Sequence, residues 1–222
     1  MTNLFSVFDP TSSVNSFPLN WGVSSLMFIG LHWSYWASKS RSQALWGLMT
    51  RTLTKEASLL MPKRKSTLVF LPVSLFILIF SNNLGGLLPY VFTSTSHLKV
   101  TLALSLPLWI GLFLYGYMCN FTHSMSHLVP QGTPVALMPV MVLIESISSV
   151  IRPFTLSIRL AANMIAGHLL IVLLSGAANI FNIYGLISVG FSLIVLMVLE
   201  TAVAMIQAYV FATLMGLYIS EV

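Results

Sequence analysis

Charged side chains are scarce in this sequence of 222 residues, where they make up only 7% of the chain, against about 25% in an ordinary soluble domain. Hydrophobic residues make up 57%, so there is too little polar surface to cover a globule in water. This composition excludes a soluble enzyme and a disordered protein. The single cysteine, Cys119, excludes an internal disulfide framework and a metal cluster built from cysteines alone.

The N-terminus lacks a basic region followed by an apolar core, so it matches neither a secretory signal nor an arginine-rich transit peptide. We therefore expect the protein to reach its membrane without a removable address.

The basic residues are unevenly distributed, with six of the ten between Arg41 and Lys65. They are not interleaved with base-stacking aromatics, and long apolar runs flank them, which indicates a membrane-surface loop and no nucleic-acid interface. Apolar residues recur there at three- and four-residue spacing, which predicts an amphipathic surface helix within residues 39–65. The positive-inside rule places this loop on the inner side, the N-terminus outside and the C-terminus inside, with Lys99 as the exception.

The lengths of the apolar runs predict the membrane-embedded helices, because a crossing needs about 20 residues. Three crossings are predicted, over residues 21–37, 67–90 and 99–118, the last with Pro107 inside it. Residues 134–176 and 183–220 would form helices about 64 and 57 Å long at about 1.5 Å per residue. The hydrocarbon layer is only about 30 Å thick, so these two helices must be steeply tilted, kinked or nearly in the membrane plane.

The predicted fold class is therefore an all-α integral membrane protein with about five membrane-embedded helices and one amphipathic surface helix. The last two helices are predicted to form a long antiparallel hairpin. The turn-like residues Asn179, Asn182 and Gly185 mark its bend.

Only five formal charges lie beyond residue 100, four of them within the two long runs and the fifth, Glu221, directly after the second run. An ionised group at the bilayer centre costs at least about 2.5–3.5 kcal/mol, so each is a candidate functional residue. Glu145, Arg152 and Arg159 are spaced by seven and share one stripe of a helix, continued by Asn163. Arg159 cannot be deprotonated and has no acid one turn away, so water, Glu200 or another polypeptide must balance its charge.

The antiparallel hairpin sets polar residues of the two helices at the same level. Arg159 is expected to lie opposite Gln207, Glu145 opposite Glu221, and His168 opposite Glu200. These residues could form an intramembrane polar ladder, or they could only hold helices together, as polar residues often do in bundles. The second interpretation is favoured for Asn163 and Gln207 taken alone, but it fails for Arg159.

Two motifs carry a family resemblance: residues 151–170 read IRPFTLSIRLAANMIAGHLL and residues 199–211 read LETAVAMIQAYVF. They closely resemble the subunit a family of the rotary proton-translocating ATP synthase, in its animal mitochondrial form. The likeness extends over the whole chain, including residues 1–10, 88–90 and 127–134. The resemblance implies a stator subunit of the mitochondrial inner membrane that does no chemistry on ATP itself and needs no cofactor. It also implies that the N-terminus lies in the intermembrane space and the C-terminus towards the matrix.

The resemblance further implies that the two long helices press against a rotating ring of hairpin subunits, each with one protonatable carboxylate. Other implied partners are the peripheral-stalk and remaining membrane subunits, lipid and protons. Protons would enter through one aqueous half-channel and leave through another. The residue matching Arg159 favours the deprotonated form of an arriving carboxylic acid and blocks a direct proton leak. The remaining proton-path residues are Asn163, His168 and Glu200 on the inlet side, Glu145 on the outlet side, and Gln207 and Tyr209. For Arg152 an electrostatic role on the outlet side is favoured over a purely structural salt link with Glu145 or lipid.

The chain is accordingly divided into four parts. They are an outer-side tail (1–20), the first transmembrane helix with the surface helix (21–66), the second and third transmembrane helices (67–133), and the hairpin with the proton path (134–222).

Three other interpretations of the sequence are a metal site, a respiratory-chain subunit and a self-contained transporter. Cys119, His123 and His127 have a four-residue spacing that could hold zinc on a helix, but no fourth ligand is evident and no metal site is predicted. A structural or quinone-site subunit of a respiratory-chain complex would share this composition, without the lone arginine and its His, Glu and Gln set. A self-contained transporter would show internal repeats, and none is found.

Overall fold

The computed structural model describes residues 8–10, 20–22, 38, 40–61, 68–88, 91–119, 121, 125, 128–129, 134, 137–177 and 183–221. Five α-helices lie wholly within these residues, and none of the described residues forms a strand. The helices are α1 (Arg41–Leu60), α2 (Phe70–Gly86), α3 (Leu98–Cys119), α4 (Met138–Ala177) and α5 (Ile183–Glu221), with a 3-10 turn over Ser94–Ser96 before α3. The prediction of an all-α protein is confirmed. Most of the predicted first crossing lies outside the described residues. His123 and His127, from another part of the chain, also lie outside them.

Three described helices are long and apolar enough to cross a membrane: Leu98–Cys119, Met138–Ala177 and residues Gly185–Ser220 of α5. Pro107 lies inside α3 without ending it, as predicted. The predicted crossing over residues 67–90 forms a shorter helix, α2, of 17 residues. It ends at Gly86, because Gly85 and Gly86 weaken the helix and the following Pro89 disfavours its continuation.

Helix α1 begins at a capping box. The Ser40 hydroxyl accepts a hydrogen bond from the Gln43 backbone N–H at 3.4 Å, and the Gln43 side chain accepts one from the Ser40 N–H at 3.0 Å. These two bonds satisfy backbone donors that a helix start leaves free. Leu53 and Ala57 pack against the helical core, whereas Arg51 is exposed. The helix is therefore amphipathic, as predicted for this segment.

Helices α4 and α5 have 40 and 39 residues, or about 60 Å each at about 1.5 Å per residue. Pro153 lies inside α4, where it is buried and does not end the helix. Leu156 packs in the same cluster as Phe211, while His168, just over three turns later in α4, meets Glu200, about three turns earlier in α5. Residues later in α4 thus lie beside residues earlier in α5. The hairpin is therefore antiparallel, as predicted.

The core lies where α2 packs against this hairpin. Ile79 of α2 is 0% exposed, and Phe76 and Phe80 of the same helix stack at 5.5 Å between ring centroids. They share one hydrophobic cluster with Leu156 of α4 and Phe211 of α5. Much of α4 and α5 beyond this contact remains exposed and apolar, as expected for helices covered by lipid or by other subunits.

Candidate functional site

His168 and Glu200 form a buried pair between α4 and α5. The His168 Nε2 lies 4.0 Å from the Glu200 Oε1, and the two side chains are 15% and 5% exposed. This distance is within reach of an ion pair but too long for a hydrogen bond. In the part of the chain that the structure describes, neither Glu200 oxygen nor His168 Nε2 has a hydrogen-bond partner. An imidazole and a carboxylate so placed can exchange a proton through water.

Gly167 makes this close approach possible. A Cβ atom at Gly167 would lie 2.7 Å from the Glu200 Cδ and 3.2 Å from its Cγ, so Glu200 crosses directly over the α4 backbone. The Phe8 and His168 rings are nearly perpendicular, with 6.4 Å between their centroids. The sequence predicted His168 beside Glu200 but not the role of Gly167. The position of this glycine directly before His168 was the feature that could have indicated it.

Arg159 lies on the exposed face of α4 and makes no ion pair or hydrogen bond with any residue that the structure describes. It borders a cavity of about 290 Å³, here called the arginine cavity. Its lining residues are Arg152, Thr155, Leu156, Arg159, Leu214, Leu217 and Tyr218. The cavity therefore brings two arginines of α4 to one concave surface that α5 completes.

The α5 residues that line the arginine cavity are Leu214, Leu217 and Tyr218. Gln207 is partly buried, and no hydrogen bond among the described residues joins it to Arg159. The level of Gln207 opposite Arg159 stays a prediction.

Glu145 and Arg152 form a salt bridge near the beginning of α4, with 3.2 Å between the Glu145 Oε1 and the Arg152 Nη2. The Arg152 guanidinium also lies 5.9 Å from the centroid of the Tyr218 ring. Sequence reasoning considered this salt bridge as the alternative for Arg152 and did not single out Tyr218. The structure describes the backbone of Glu221 but not its side chain.

The remaining predicted site residues are more scattered. Asn163 is partly buried on α4, between Arg159 and His168 in the chain, without a hydrogen bond in the described part. Tyr209 borders a different cavity, of about 200 Å³, which α1, α2 and α5 form together. From Glu145 to His168 the sites of α4 extend over about 35 Å at about 1.5 Å per residue. The structure thus pairs His168 with Glu200 and Glu145 with Arg152, and it does not gather the predicted residues into one cluster.

A further set of buried polar side chains was not predicted. We call Asn83, Thr95, His97 and Ser105 the unpartnered polar group, because each has a buried nitrogen or oxygen without a hydrogen-bond partner in the described part. Asn83 is 0% exposed, and both atoms of its amide are unpartnered. Buried polar groups almost always have a protein or water partner. The signal in the sequence was the polar run from Thr93 to Ser96 in an apolar region.

The unpartnered polar group lies beside the half of α4 that carries His168. The 3-10 turn Ser94–Ser96 packs against α4, α2 and α3. A Cβ atom at Gly86 would lie 2.7 Å from the Thr93 Cγ2 and 3.5 Å from the Met164 Cε. Met164 precedes His168 in α4 by about one helical turn. The His97 ring lies 5.4 Å from Trp21 and 5.3 Å from Phe92, centroid to centroid.

The described residues contain no group of three or more His, Cys, Asp or Glu side chains that could hold a metal ion. Cys119 is exposed, and the two histidines considered with it fall outside those residues.

Comparisons with known proteins agree with one another. A family model described as ATP synthase A chain matches residues 19–220. A protein described as ATP synthase subunit a from Aedes aegypti is 52% identical over 226 residues, which cover 100% of this chain and 99% of that protein. Proteins of the same description from Drosophila melanogaster and Artemia franciscana are each 51% identical, covering all of this chain and 99% and 100% of their own lengths.

Proposed function

The chain belongs to the ATP synthase A chain family, and on this basis we propose that it is the proton-conducting stator subunit of a mitochondrial ATP synthase. It acts there with the other subunits of that complex in a mitochondrial membrane. The observation that carries the proposal is the buried pair of His168 and Glu200 on the same hairpin as Arg159, which makes no ion pair with any described residue. A respiratory-chain structural subunit, the alternative considered from sequence, is not favoured.

His168 and Glu200 are proposed to receive protons on the inlet side, with Asn163 beside them. Three observations support this role: the two side chains lie 4.0 Å apart, they are nearly buried, and they lack hydrogen bonds to other described groups. Water that satisfies the unpartnered polar group would lie next to the same part of α4. We propose that this water joins the outer surface to the pair.

Arg159 is proposed to act as a fixed cation between the inlet and the outlet. Its exposed position on α4 leaves the guanidinium free to meet a carboxylate on a partner ring of hairpin subunits. Such a cation favours the ionised carboxylate and repels a proton moving directly between the two half-channels. The membrane potential then contributes about 2.3 kcal/mol per elementary charge per 100 mV.

Glu145 and Arg152 are proposed to lie on the outlet path, towards the matrix. Gln207 and Tyr209 remain proposed members of the proton path, although Tyr209 borders the cavity beside α1.

The ring is proposed to slide past the exposed side of α4, where Ala162 and Ala166 leave room for close approach. Other membrane and peripheral-stalk subunits would cover further apolar surface. We propose the inner-membrane orientation inferred from the basic loop, with the N-terminus in the intermembrane space. The four-part division of the chain, ending in the hairpin of residues 134–222, is proposed on the same basis.

The test replaces Arg159 in the complete complex, reconstituted into vesicles. Arg159→Gln should reduce proton-driven ATP synthesis below detection, and Arg159→Lys should restore little, because an ammonium presents a point charge in place of the guanidinium fork. Lys99→Gln removes another exposed cation and should leave synthesis near that of the unmodified complex. Substantial synthesis by an assembled Arg159→Gln complex would refute the proposed role.

A further inference from the structure

Two of the contacts of Arg152 come from different helices of the described part. On its own helix its Nη2 lies 3.2 Å from the Glu145 Oε1, and from α5 the ring of Tyr218 faces its guanidinium at 5.9 Å. Both contacts lie next to the arginine cavity, because Arg152 and Tyr218 also line it. The salt bridge and the ring contact thus connect the N-terminal half of α4 with the surface around Arg159.

The spacing of the salt bridge explains why a second contact is needed. Ion pairs along a helix normally join residues three or four apart. Glu145 and Arg152 are seven apart, a rise of about 10.5 Å, so the arginine must extend along the helix towards its N-terminus, the direction in which helical side chains point. An extended arginine gives up much rotamer freedom. A ring that supports the guanidinium reduces this loss, and a cation over an aromatic face is itself attracted to it.

The arginine cavity provides the alternative position. An Arg152 released from Glu145 could turn into the cavity of about 290 Å³ that it shares with Arg159. The guanidinium groups of Arg152 and Arg159 would then compete for the carboxylate that a ring subunit presents to the cavity. Glu145 would at the same time lose its only ion-pair partner among the described residues. The position of Arg152 therefore decides whether Arg159 acts alone in the cavity.

We propose that Tyr218 is a positioning residue of the outlet path. Its ring holds the Arg152 guanidinium on Glu145, which fixes that carboxylate at the inner end of the arginine cavity and keeps Arg152 away from Arg159. The inference rests on the proposed function of the chain, since it concerns the proton path of the same hairpin. It predicts that Tyr218 acts through Arg152.

The test is a double-mutant cycle in the complete complex, reconstituted into vesicles. Tyr218→Leu and Tyr218→Met both remove the ring, and Tyr218→Phe keeps it. Proton-driven synthesis should fall about three- to tenfold with either ringless variant and stay within about twofold with Tyr218→Phe, as an attraction of this kind implies. In an Arg152→Gln background the ringless variants should cause no further loss. Tyr115→Leu, an exposed tyrosine of α3, is the matched control.

A purely structural role of Tyr218 gives a different result. In that case the ringless variants would lower synthesis by the same factor in both backgrounds, and assembly would fall in parallel, which would overturn the inference. Equal losses for Tyr218→Phe and Tyr218→Leu would overturn it as well, because the hydroxyl would then be the active group. Arg159→Gln, measured alongside, separates the two proposals: if it abolishes synthesis while the cycle is additive, the proposed function stands and only the role of Tyr218 falls.

Discussion

Gly167→Ala provides the most direct test of the buried pair. The new Cβ would lie 2.7 Å from the Glu200 Cδ and 3.2 Å from its Cγ. Cβ atoms essentially never lie within 3.0 Å of a heavy atom of a residue that is not their neighbour in the chain, and ordinary contact begins at 3.4 Å. The carboxylate must therefore move by roughly 1 Å, a displacement that can cost about a hundredfold in a positioned reaction.

The cost to stability should be small by comparison. Alanine is better than glycine inside a helix by about 1 kcal/mol, and forcing Glu200 out of its rotamer costs about 0.5–1.5 kcal/mol. These two effects nearly cancel, because the atoms that must move belong to a flexible side chain. The variant should assemble normally, while its proton-driven ATP synthesis and ATP-driven proton pumping fall between tenfold and a hundredfold.

Two further variants sharpen the Gly167 experiment. Gly176→Ala lies in the same helix with nothing within 4 Å of its Cβ position, so it should keep full activity. Glu200→Asp added to Gly167→Ala withdraws the carboxylate by one methylene and should recover part of the lost synthesis. If Gly167→Ala synthesises ATP at the rate of Gly176→Ala, the close approach of Glu200 to α4 has no functional role and the reasoning is refuted.

Three more outcomes are expected. Asn83→Leu removes an amide with no described partner and should lower synthesis several-fold without loss of assembly, since the amide would hold inlet water; unchanged synthesis would exclude it from the inlet. Ile79→Ala opens a cavity in the α2 core and should cost about 2–5 kcal/mol, seen as earlier thermal inactivation of the complex, whereas the exposed Leu84→Ala should not. Ser40→Ala removes the cap of α1, worth about 0.5–2 kcal/mol, and should speed hydrogen exchange only in the first turn of that helix.

Several features follow from the sequence alone. The scarcity of charge requires an apolar solvent, and uninterrupted apolar runs require helices, because backbone groups in lipid must bond within their own segment. The two long runs therefore predict α5 and the end of α4 to within one residue, and the start of α4 to within four. Arg159 stands out because an arginine cannot shed its charge and no acid lies one turn away. The position of the hairpin bend also predicts that His168 lies opposite Glu200.

Other features were decided only by the tertiary structure. A helix that is apolar all round carries no periodicity to say which side faces its neighbour, so the rotation and register of α5 against α4 could not be predicted for most residues. The packing of α2 against the hairpin buries Leu156 and Phe211 in one cluster, and Leu214 and Leu217 line the cavity beside Arg159. It also sets Tyr209 beside α1 and Tyr218 beside Arg152. Which polar residues are present is a local property of the sequence, whereas which of them meet depends on apolar contacts between distant segments.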